Sequence, residues 1–193
     1  MSILERGFKS WGERFSEGLR KELGLDITDP LDLDKLAAFA GCRVMTPHDI
    51  PGMTAEHLQQ LTLRDSSGWS AVTVCVGDQA VIIHNPTHSV GRQASNIAHE
   101  IAHVLLQHEP TRIVMSHDGT LVMRSFDAKQ EEEANWLAWC ILLPREAVMS
   151  ALRRRMSVEQ IAAHFGVSVT LVRFRIQKTG AQVHMKRTSG QSS

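Results

Sequence analysis

Hydrophobic residues near the start of the chain recur at helical spacing. A stripe with steps of three and four residues predicts an amphipathic helix over residues 4–23, and it consists of Phe8, Trp11, Phe15 and Leu19. Gly24 follows the stripe, as glycine often does at the end of a helix. A shorter helix is predicted over residues 34–40. The prolines and glycine within residues 42–68 predict that no long element forms there.

The middle of the chain alternates β-rich runs with largely apolar helices. Residues 69–76 and 80–83 predict one hairpin, and a second hairpin is predicted across residues 117–119. Residues 89–108 and 128–143 carry helical patterns that are apolar on most of the circumference, so both helices are expected to be buried. This succession predicts an α+β fold with a small twisted antiparallel sheet and a central helix pair.

The composition is that of a globular protein, with 193 residues of which 42% are hydrophobic and 22% charged. The net charge is zero, so no overall field draws the molecule to nucleic acid or to an anionic membrane. The charge is unevenly distributed, however. Nine basic and two acidic residues follow residue 144, a net +7, and the part before them carries −7. We therefore expect a main domain over residues 1–144, a basic helical segment over 145–180 and a disordered tail over 181–193.

The cysteines and the apolar runs bear on the compartment. Three cysteines without a CxxC pair argue against a disulfide framework and against a thiolate zinc site. The longest apolar run, residues 136–143, is too short for a membrane span and stops at Pro144. The first residues lack the apolar core of a secretory signal. We therefore expect a cytoplasmic protein with no membrane association.

The strongest chemical pattern is HExxH, which His99, Glu100 and His103 form inside a predicted buried helix. Four residues turn a helix by about 400°, so both imidazoles project from one face and can share a metal ion. A carboxylate beside that ion can take a proton from water. In the alternative interpretation, the histidines face solvent or hydrogen-bond each other. Zn²⁺ is expected from affinity, and Mn²⁺ is the alternative if its supply is greater.

A third ligand is expected from the second buried helix, which begins with three consecutive glutamates. Glu131 shares a helical face with Asn135 and Ala138, and the small alanine allows close packing on the histidine helix. We therefore predict Glu131 as the ligand and Asn135 as the residue that orients a ligand imidazole. Glu132 and Glu133 are interpreted as a solvated helix N-terminus that complements the helix dipole.

The chain contains no tyrosine, so another group must stabilise a tetrahedral oxyanion. His84, Arg92 and His117 lie near the HExxH motif in sequence and are candidates for oxyanion or substrate contacts. Each of them also has an alternative interpretation as a loop or structural residue. His108 lies about 140° around the helix from His103 and is not expected to be a ligand.

Five stretches together resemble a known family, the ImmA/IrrE-type metallopeptidases of gluzincin character: residues 69–74, 85–86, 92–106, 131–138 and 142–144. The resemblance implies a zincin-like fold, with His99 and His103 as metal ligands, Glu100 as general base and Glu131 as third ligand. It also implies a partner, since such proteins cleave or are linked to helix-turn-helix repressors of the Xre type, and proteolysis then relieves repression of stress or mobile-element genes.

The basic segment has the pattern of a helix-turn-helix. Ser157 and Gln160 can form a capping box for its first helix, Gly166 can form the turn, and Ser168 can cap the second helix. Arginines around it make phosphate contact possible. Docking of a repressor and structural packing on the main domain are the interpretations that we favour over direct DNA reading.

These observations lead to two alternative functions. The first is a zinc-dependent endopeptidase that cleaves a narrow protein substrate, an Xre-type repressor, with Glu100 as the base. The second is a DNA-binding or repressor-binding regulator, of toxin-antitoxin or phage-related type, whose metal site is structural or has little turnover. The two differ in whether loss of Glu100 abolishes the biological activity.

Overall fold

The computed structural model describes residues 3–77, 79–108 and 127–180, together with the backbone of residues 112–115 and 121–124. Within this part of the chain, the helices are α1 (Phe8–Glu22), α2 (Leu33–Phe39), α3 (Ala55–Gln59), α4 (Val90–Leu105), α5 (Ala128–Leu142), α6 (Arg145–Arg153), α7 (Val158–Phe165) and α8 (Val169–Thr179). The strands are β1 (Cys42–Met45), β2 (Ala71–Val76), β3 (Gln79–His84), β4 (Arg112–Met115) and β5 (Leu121–Arg124). The predicted α+β class is confirmed, and the fold is mostly helical. The predicted disordered tail lies outside the described residues.

The sheet differs from the predicted one because it is mixed. Its strand order is β1-β3-β2. Strands β2 and β3 form the predicted antiparallel hairpin, with Ala71 opposite His84. Strand β1 pairs with β3 in parallel, from Cys42 opposite Ala80 to Met45 opposite Ile83. The expectation of a wholly antiparallel sheet was therefore wrong. Strand β1 was not predicted, because it has only four residues and lies in a segment whose prolines and glycine predicted no long element. Strand β2 is left at an edge.

Strands β4 and β5 form a separate antiparallel pair. Arg112 lies opposite Arg124, and Met115 lies opposite Leu121. This confirms the pairing that the second hairpin pattern predicted. The intervening turn lies outside the described residues.

Helices α4 and α5 pack against each other at the centre of the molecule. Both have small residues in the core, including Ala98 and Ala102 on α4 and Ala134 and Ala138 on α5, which are 0 to 1% exposed. Small side chains allow two helix backbones to approach closely. The predicted burial is confirmed for most of α5 from Ala134 onward, whereas α4 is buried along one face only and is partly or fully exposed elsewhere. No helix in the described ranges has the length and apolar character needed to cross a membrane.

Two buried arginines donate hydrogen bonds at the C-terminal end of α5. Arg20 of α1 donates from Nη2 to the carbonyl oxygen of Leu142 at 3.4 Å. Arg175 of α8 donates from Nε to the carbonyl oxygen of Leu143 at 2.8 Å and from Nη2 to Glu13 Oε1 at 2.7 Å. The last carbonyls of a helix have no intrahelical partner, and these guanidinium groups provide donors for them. Helices α1 and α8 thereby fix the end of α5.

The C-terminal helices α6 to α8 contribute to the same hydrophobic core, for example through Val148, Ile161 and Val172. The predicted caps are confirmed, since Ser157 forms a capping box with Gln160 and the Ser168 side chain accepts from the Leu171 N–H. Gly166 ends α7 in the left-handed region, at a φ of 65°. The boundary at residue 144 stays a prediction.

The turn between α7 and α8 packs directly on the start of α4. A Cβ atom placed on Gly91 would lie 2.5 Å from the Ser168 nitrogen and 2.6 Å from the Val167 carbonyl carbon. Only glycine fits there without a shift of backbone. The turn is therefore covered by the helix that carries the HExxH motif.

Candidate metal centre

Helix α4 places the two histidines of the HExxH motif side by side. His99 and His103 lie one turn apart, and their Nε2 atoms are 3.1 Å from each other. The rings meet at 73° with centroids 4.7 Å apart. Both imidazoles therefore present one nitrogen to the same point, as the helical spacing predicts.

Helix α5 brings Glu131 to this point. Glu131 Oε2 lies 3.3 Å from His99 Nε2, and Oε1 lies 3.4 Å from His103 Nε2. One ligand atom from each of the three residues lies within 4.8 Å of the others. The start of α5 is fixed by Asp127, whose side chain accepts hydrogen bonds from the backbone N–H groups of Lys129 and Gln130. Glu131 is thus held in the first turn of the helix and faces the histidines.

The hydrogen bonds around these residues fit a cation. Asn135 Oδ1 lies 3.1 Å from His99 Nδ1, so this nitrogen donates to the amide oxygen, and in a neutral imidazole Nε2 then carries a lone pair. His103 Nδ1 lies 3.0 Å from a nitrogen of another histidine, His108. With a proton on His103 Nδ1, two imidazole lone pairs and a carboxylate face one another. Three acceptors that meet in this way are stabilised by a metal ion of the kind that N and O ligands bind, such as zinc.

The protonation of His103 agrees with this arrangement. Burial, and then the neighbouring His99 and His108, lower the pKa of His103 to about 4. Desolvation disfavours the charged imidazolium. His103 is therefore neutral at physiological pH, and a neutral imidazole is the form that binds metal.

Glu100 lines the same cleft as His99 and Glu131, two of the three converging residues. The cleft has a volume of about 350 Å³, and its lining includes His99, Glu100, Glu131 and Trp139, with Ser70 and Ala71 at the start of β2. Thr73 Oγ1 of β2 donates to Glu100 Oε2 at 2.5 Å. This hydrogen bond fixes one carboxylate oxygen. A carboxylate in this place can accept a proton from water held in the cleft.

Residues 53–177 match the model of peptidase family M78, which is described as an IrrE N-terminal-like domain. The chain belongs to this family. The matched M78 region runs from the residues before α3 into α8, so it includes every residue of the candidate centre, all of α7 and α8 as far as Gln177. The predicted ImmA/IrrE-type assignment is confirmed.

Other comparisons add little to the M78 assignment. A search of curated proteins finds no match. A solved structure described as a Mycobacterium tuberculosis transcriptional regulator is similar, with 18% sequence identity and a TM-score of 0.49. The match covers 89% of this chain and 46% of that one. The chain therefore spans less than half the length of that regulator.

The three candidates for substrate or oxyanion contacts differ in position within the M78 domain. Arg92 Nη2 lies 3.3 Å from Ser70 Oγ, and Ser70 lines the cleft. His84 is buried at the end of β3 and lines a different cavity, together with Val44 and Ile97. His117 lies outside the described residues. Of the three, only Arg92 is brought close to the cleft in the part of the chain that the structure describes.

The sequence patterns missed two side chains that lie beside the candidate centre. His108 Nδ1 contacts His103 Nδ1, and His108 Nε2 lies 3.3 Å from Glu133 Oε2. The Glu133 side chain is 14% exposed, so its interpretation as a solvated glutamate was wrong. The helical angle assigned to His108 does not apply, because α4 ends at Leu105 and the chain then turns back. Neither the HExxH spacing nor helical periodicity contains a signal for this contact.

Proposed function

We propose that the protein is a zinc-dependent endopeptidase that cleaves a narrow protein substrate, a helix-turn-helix repressor of the Xre type, and so relieves repression. The observation that carries this proposal is the convergence of His99, His103 and Glu131 at the edge of the cleft that Glu100 lines together with His99 and Glu131. The M78 assignment supports peptidase chemistry. The choice of an Xre-type repressor rests on the resemblance to ImmA/IrrE-type proteins.

In this proposal His99, His103 and Glu131 hold the metal ion, with Zn²⁺ preferred by ligand type and Mn²⁺ as the alternative. When bound, the ion supplies Lewis-acid polarisation of the scissile carbonyl and makes water more acidic. Glu100 accepts the proton of the attacking water and passes it to the leaving amine. The Thr73 hydroxyl orients the Glu100 carboxylate through its hydrogen bond. Arg92, beside Ser70, contacts the substrate at the rim.

The edge position of β2 supports binding of an extended substrate. Strand β2 pairs with β3 on one side, and in the described sheet no strand pairs with its other side. Ser70 and Ala71 line the cleft, so a peptide that adds to this edge passes Glu100. Main-chain hydrogen bonds provide affinity in this mode, and side-chain pockets provide specificity.

The proposed compartment is the cytoplasm, because Cys42, Cys75 and Cys140 are all free thiols. Cytosolic proteins keep their cysteines reduced, and Xre-type repressors act in the same compartment. The proposed compartment thus agrees with the proposed substrate.

Metal content per chain is the first test. We expect about one zinc ion in the purified wild type and much less in Glu131→Ala prepared identically. Glu100→Gln serves as the matched control, because it should keep the metal. Absence of zinc from the wild type, after zinc has been offered and the excess removed, would overturn the proposal.

Cleavage is the second test. The zinc-loaded protein is incubated with Xre-type repressors of its host, and new peptide termini are identified by mass spectrometry. We expect Glu100→Gln to lower the cleavage rate by about 10²–10⁴-fold, the usual contribution of a general base. Cleavage at the wild-type rate by Glu100→Gln would refute the assigned base.

A regulator that binds DNA or a repressor is the second candidate function, and exposed basic side chains favour it. The Arg173 side chain is 70% exposed on α8. Against DNA reading stands the contact of Gly91 with the α7–α8 turn, which joins this pair to α4. Salt-dependent binding of duplex DNA that Arg173→Ala weakens, with biological activity retained in Glu100→Gln, would favour the regulator.

A further inference from the structure

The chain turns back sharply where α4 ends. Helix α4 ends at Leu105, and the backbone N–H of His108 donates to the carbonyl of His103 at 3.0 Å. Between them Gln107 has a φ of 54°, in the left-handed region. Residues other than glycine adopt this conformation at a cost, so the surrounding contacts must stabilise the turn. The turn returns the His108 ring to the helix that carries the candidate ligands.

His108 lies between a candidate ligand and a carboxylate. Its Nδ1 atom is 3.0 Å from His103 Nδ1, and its Nε2 atom is 3.3 Å from Glu133 Oε2. The side chains of His108 and Glu133 are only 8% and 14% exposed. The His103 and His108 rings meet edge to face, with centroids 4.9 Å apart. The three residues therefore form a continuous hydrogen-bonded chain.

The order of donors and acceptors in this chain follows from its carboxylate end. An ionised Glu133 only accepts, so His108 Nε2 donates to it. In a neutral imidazole the other nitrogen then carries a lone pair, and His108 Nδ1 is an acceptor. His103 Nδ1 must donate to it. The remaining nitrogen, His103 Nε2, consequently carries a lone pair and faces His99 and Glu131.

We propose that His108 and Glu133 are positioning residues, which hold His103 in the tautomer and ring orientation that leave Nε2 free to bind the metal ion. This inference rests on the proposed metal centre. Outer hydrogen bonds of this kind fix the ring of a metal-bound histidine and raise its basicity. Asn135 does the same for His99 through a separate contact. Each of the two ligand imidazoles thus has its own partner on the opposite ring nitrogen.

The tautomer of His103 in metal-free protein is the decisive measurement. Long-range proton–nitrogen correlation spectra of protein labelled at histidine show which ring nitrogen carries the proton. We expect His103 to carry it on Nδ1 in the wild type and to lose this preference in His108→Ala. Asn135→Ala is the matched control, because it should alter His99 and leave His103 unchanged.

Zinc affinity provides a second readout, by competition with a chromophoric chelator. Loss of an outer partner typically weakens metal binding by about 10–100-fold. We expect this loss in His108→Ala and in Glu133→Ala. Glu133→Gln should restore most of the affinity, because its amide oxygen can still accept from His108 Nε2. The His103 tautomer in Glu133→Ala separates this role from a merely structural one, because loss of packing alone would not move the proton from His103 Nδ1.

The outcomes distinguish this inference from the proposed function. An unchanged His103 tautomer together with wild-type zinc affinity in His108→Ala overturns the inference. If His108→Ala does not fold, equal zinc affinities of Glu133→Ala and wild type overturn it instead. If the wild type itself binds no zinc, the proposed function fails, and the tautomer of the metal-free protein still decides the positioning role.

Discussion

Both ends of helix α5 gather polar side chains, which are buried at the C-terminal end and partly exposed at the N-terminal end, and the groups differ in kind. At the C-terminal end the guanidinium groups of Arg20 and Arg175 donate to backbone carbonyls and to Glu13. At the N-terminal end Glu131 faces His99 and His103, and with each neutral imidazole protonated on Nδ1 all three present lone pairs. Donors meet acceptors at the C-terminal end, where Arg20 Nε is buried without a partner but the other hydrogen bonds are formed, whereas acceptors meet acceptors at the N-terminal end.

This difference separates a structural role from a binding role. A buried polar cluster whose donors and acceptors match stabilises the fold by itself, and removal of one member leaves a partner unsatisfied. A cluster of acceptors is relieved only by a proton or a cation. Substitutions at the C-terminal end should therefore change the free energy of unfolding. Those at the N-terminal end should change metal binding and leave the metal-free fold largely intact.

The largest expected loss of stability comes from Arg175→Ala. Its side chain is 1% exposed and pairs with Glu13, which is 18% exposed. Removing one partner of a buried ion pair costs about 3–5 kcal/mol, because the other charge stays buried without compensation. Urea denaturation of the metal-free protein measures this cost. Arg173→Ala, on the exposed side of the same helix, should cost less than about 0.5 kcal/mol. Equal losses in the two variants would contradict the structural role of Arg175.

Added zinc should stabilise the wild type by an amount that depends on its concentration. A ligand that binds only the native state contributes about 2.7 kcal/mol at a free concentration 100 times its Kd. The measurement is urea denaturation with and without buffered zinc. In Glu131→Ala most of this gain should disappear, while the unfolding free energy without zinc stays close to that of the wild type. A full gain in Glu131→Ala would show that zinc binds elsewhere.

Gly91→Ala extends the comparison to the α7–α8 pair. The added Cβ would meet the backbone of Val167 and Ser168 at 2.5 to 2.6 Å. Overpacking of this kind costs about 1–3 kcal/mol, which thermal or urea denaturation would detect. Gly18→Ala on α1 is the control, because among the described residues no neighbouring atom lies within 4 Å of its Cβ position, and it should raise stability by about 0.4–1 kcal/mol. An unchanged stability of Gly91→Ala would mean that α7 and α8 can move away from α4.

The smallest effect is expected at the cap of α8. The Ser168 hydroxyl accepts from the Leu171 N–H at 3.1 Å. Replacement of such a cap by alanine costs about 1 kcal/mol. Denaturation of Ser168→Ala tests this value, with Thr170→Ala as an exposed control in the same turn. Alanine has a higher helix propensity than threonine, so Thr170→Ala should not lose stability. A loss of the same size in both variants would therefore contradict the role of the cap.

Local patterns predicted much of the fold and most of the candidate centre. The HExxH spacing lies within one helix, and so does the register of Glu131 and Asn135. Both can therefore be predicted from local helical periodicity. The pairing of strand β1 was not predicted. It places Cys42 opposite Ala80, and the periodicity of a short segment contains no information about a partner so far away in the sequence. The burial of the two arginines at the end of α5 was not predicted either, because an arginine in an amphipathic helix is normally exposed.

The histidine at the end of α4 shows another limit of sequence reasoning. Projection of His108 onto a helical wheel assumes that the helix continues. The helix ends at Leu105, and Gln107 takes a conformation that favours glycine. With glutamine at this position, the sequence gives no sign of the turn. The contact between His108 and His103 therefore follows only from the backbone conformation of the structure.

The contact of Arg175 with the end of α5 has a consequence for synthesis of the chain. Arg175 follows Leu143, whose carbonyl it binds, by 32 residues. At about 5–20 residues per second, a ribosome needs roughly 2–6 s to add them. During this interval the nascent protein already contains His99, His103 and Glu131, but the last carbonyls of α5 still lack one of their two arginine donors. Translation of α8 thus completes the hydrogen bonds at the C-terminal end of α5, well after the proposed metal ligands have been made.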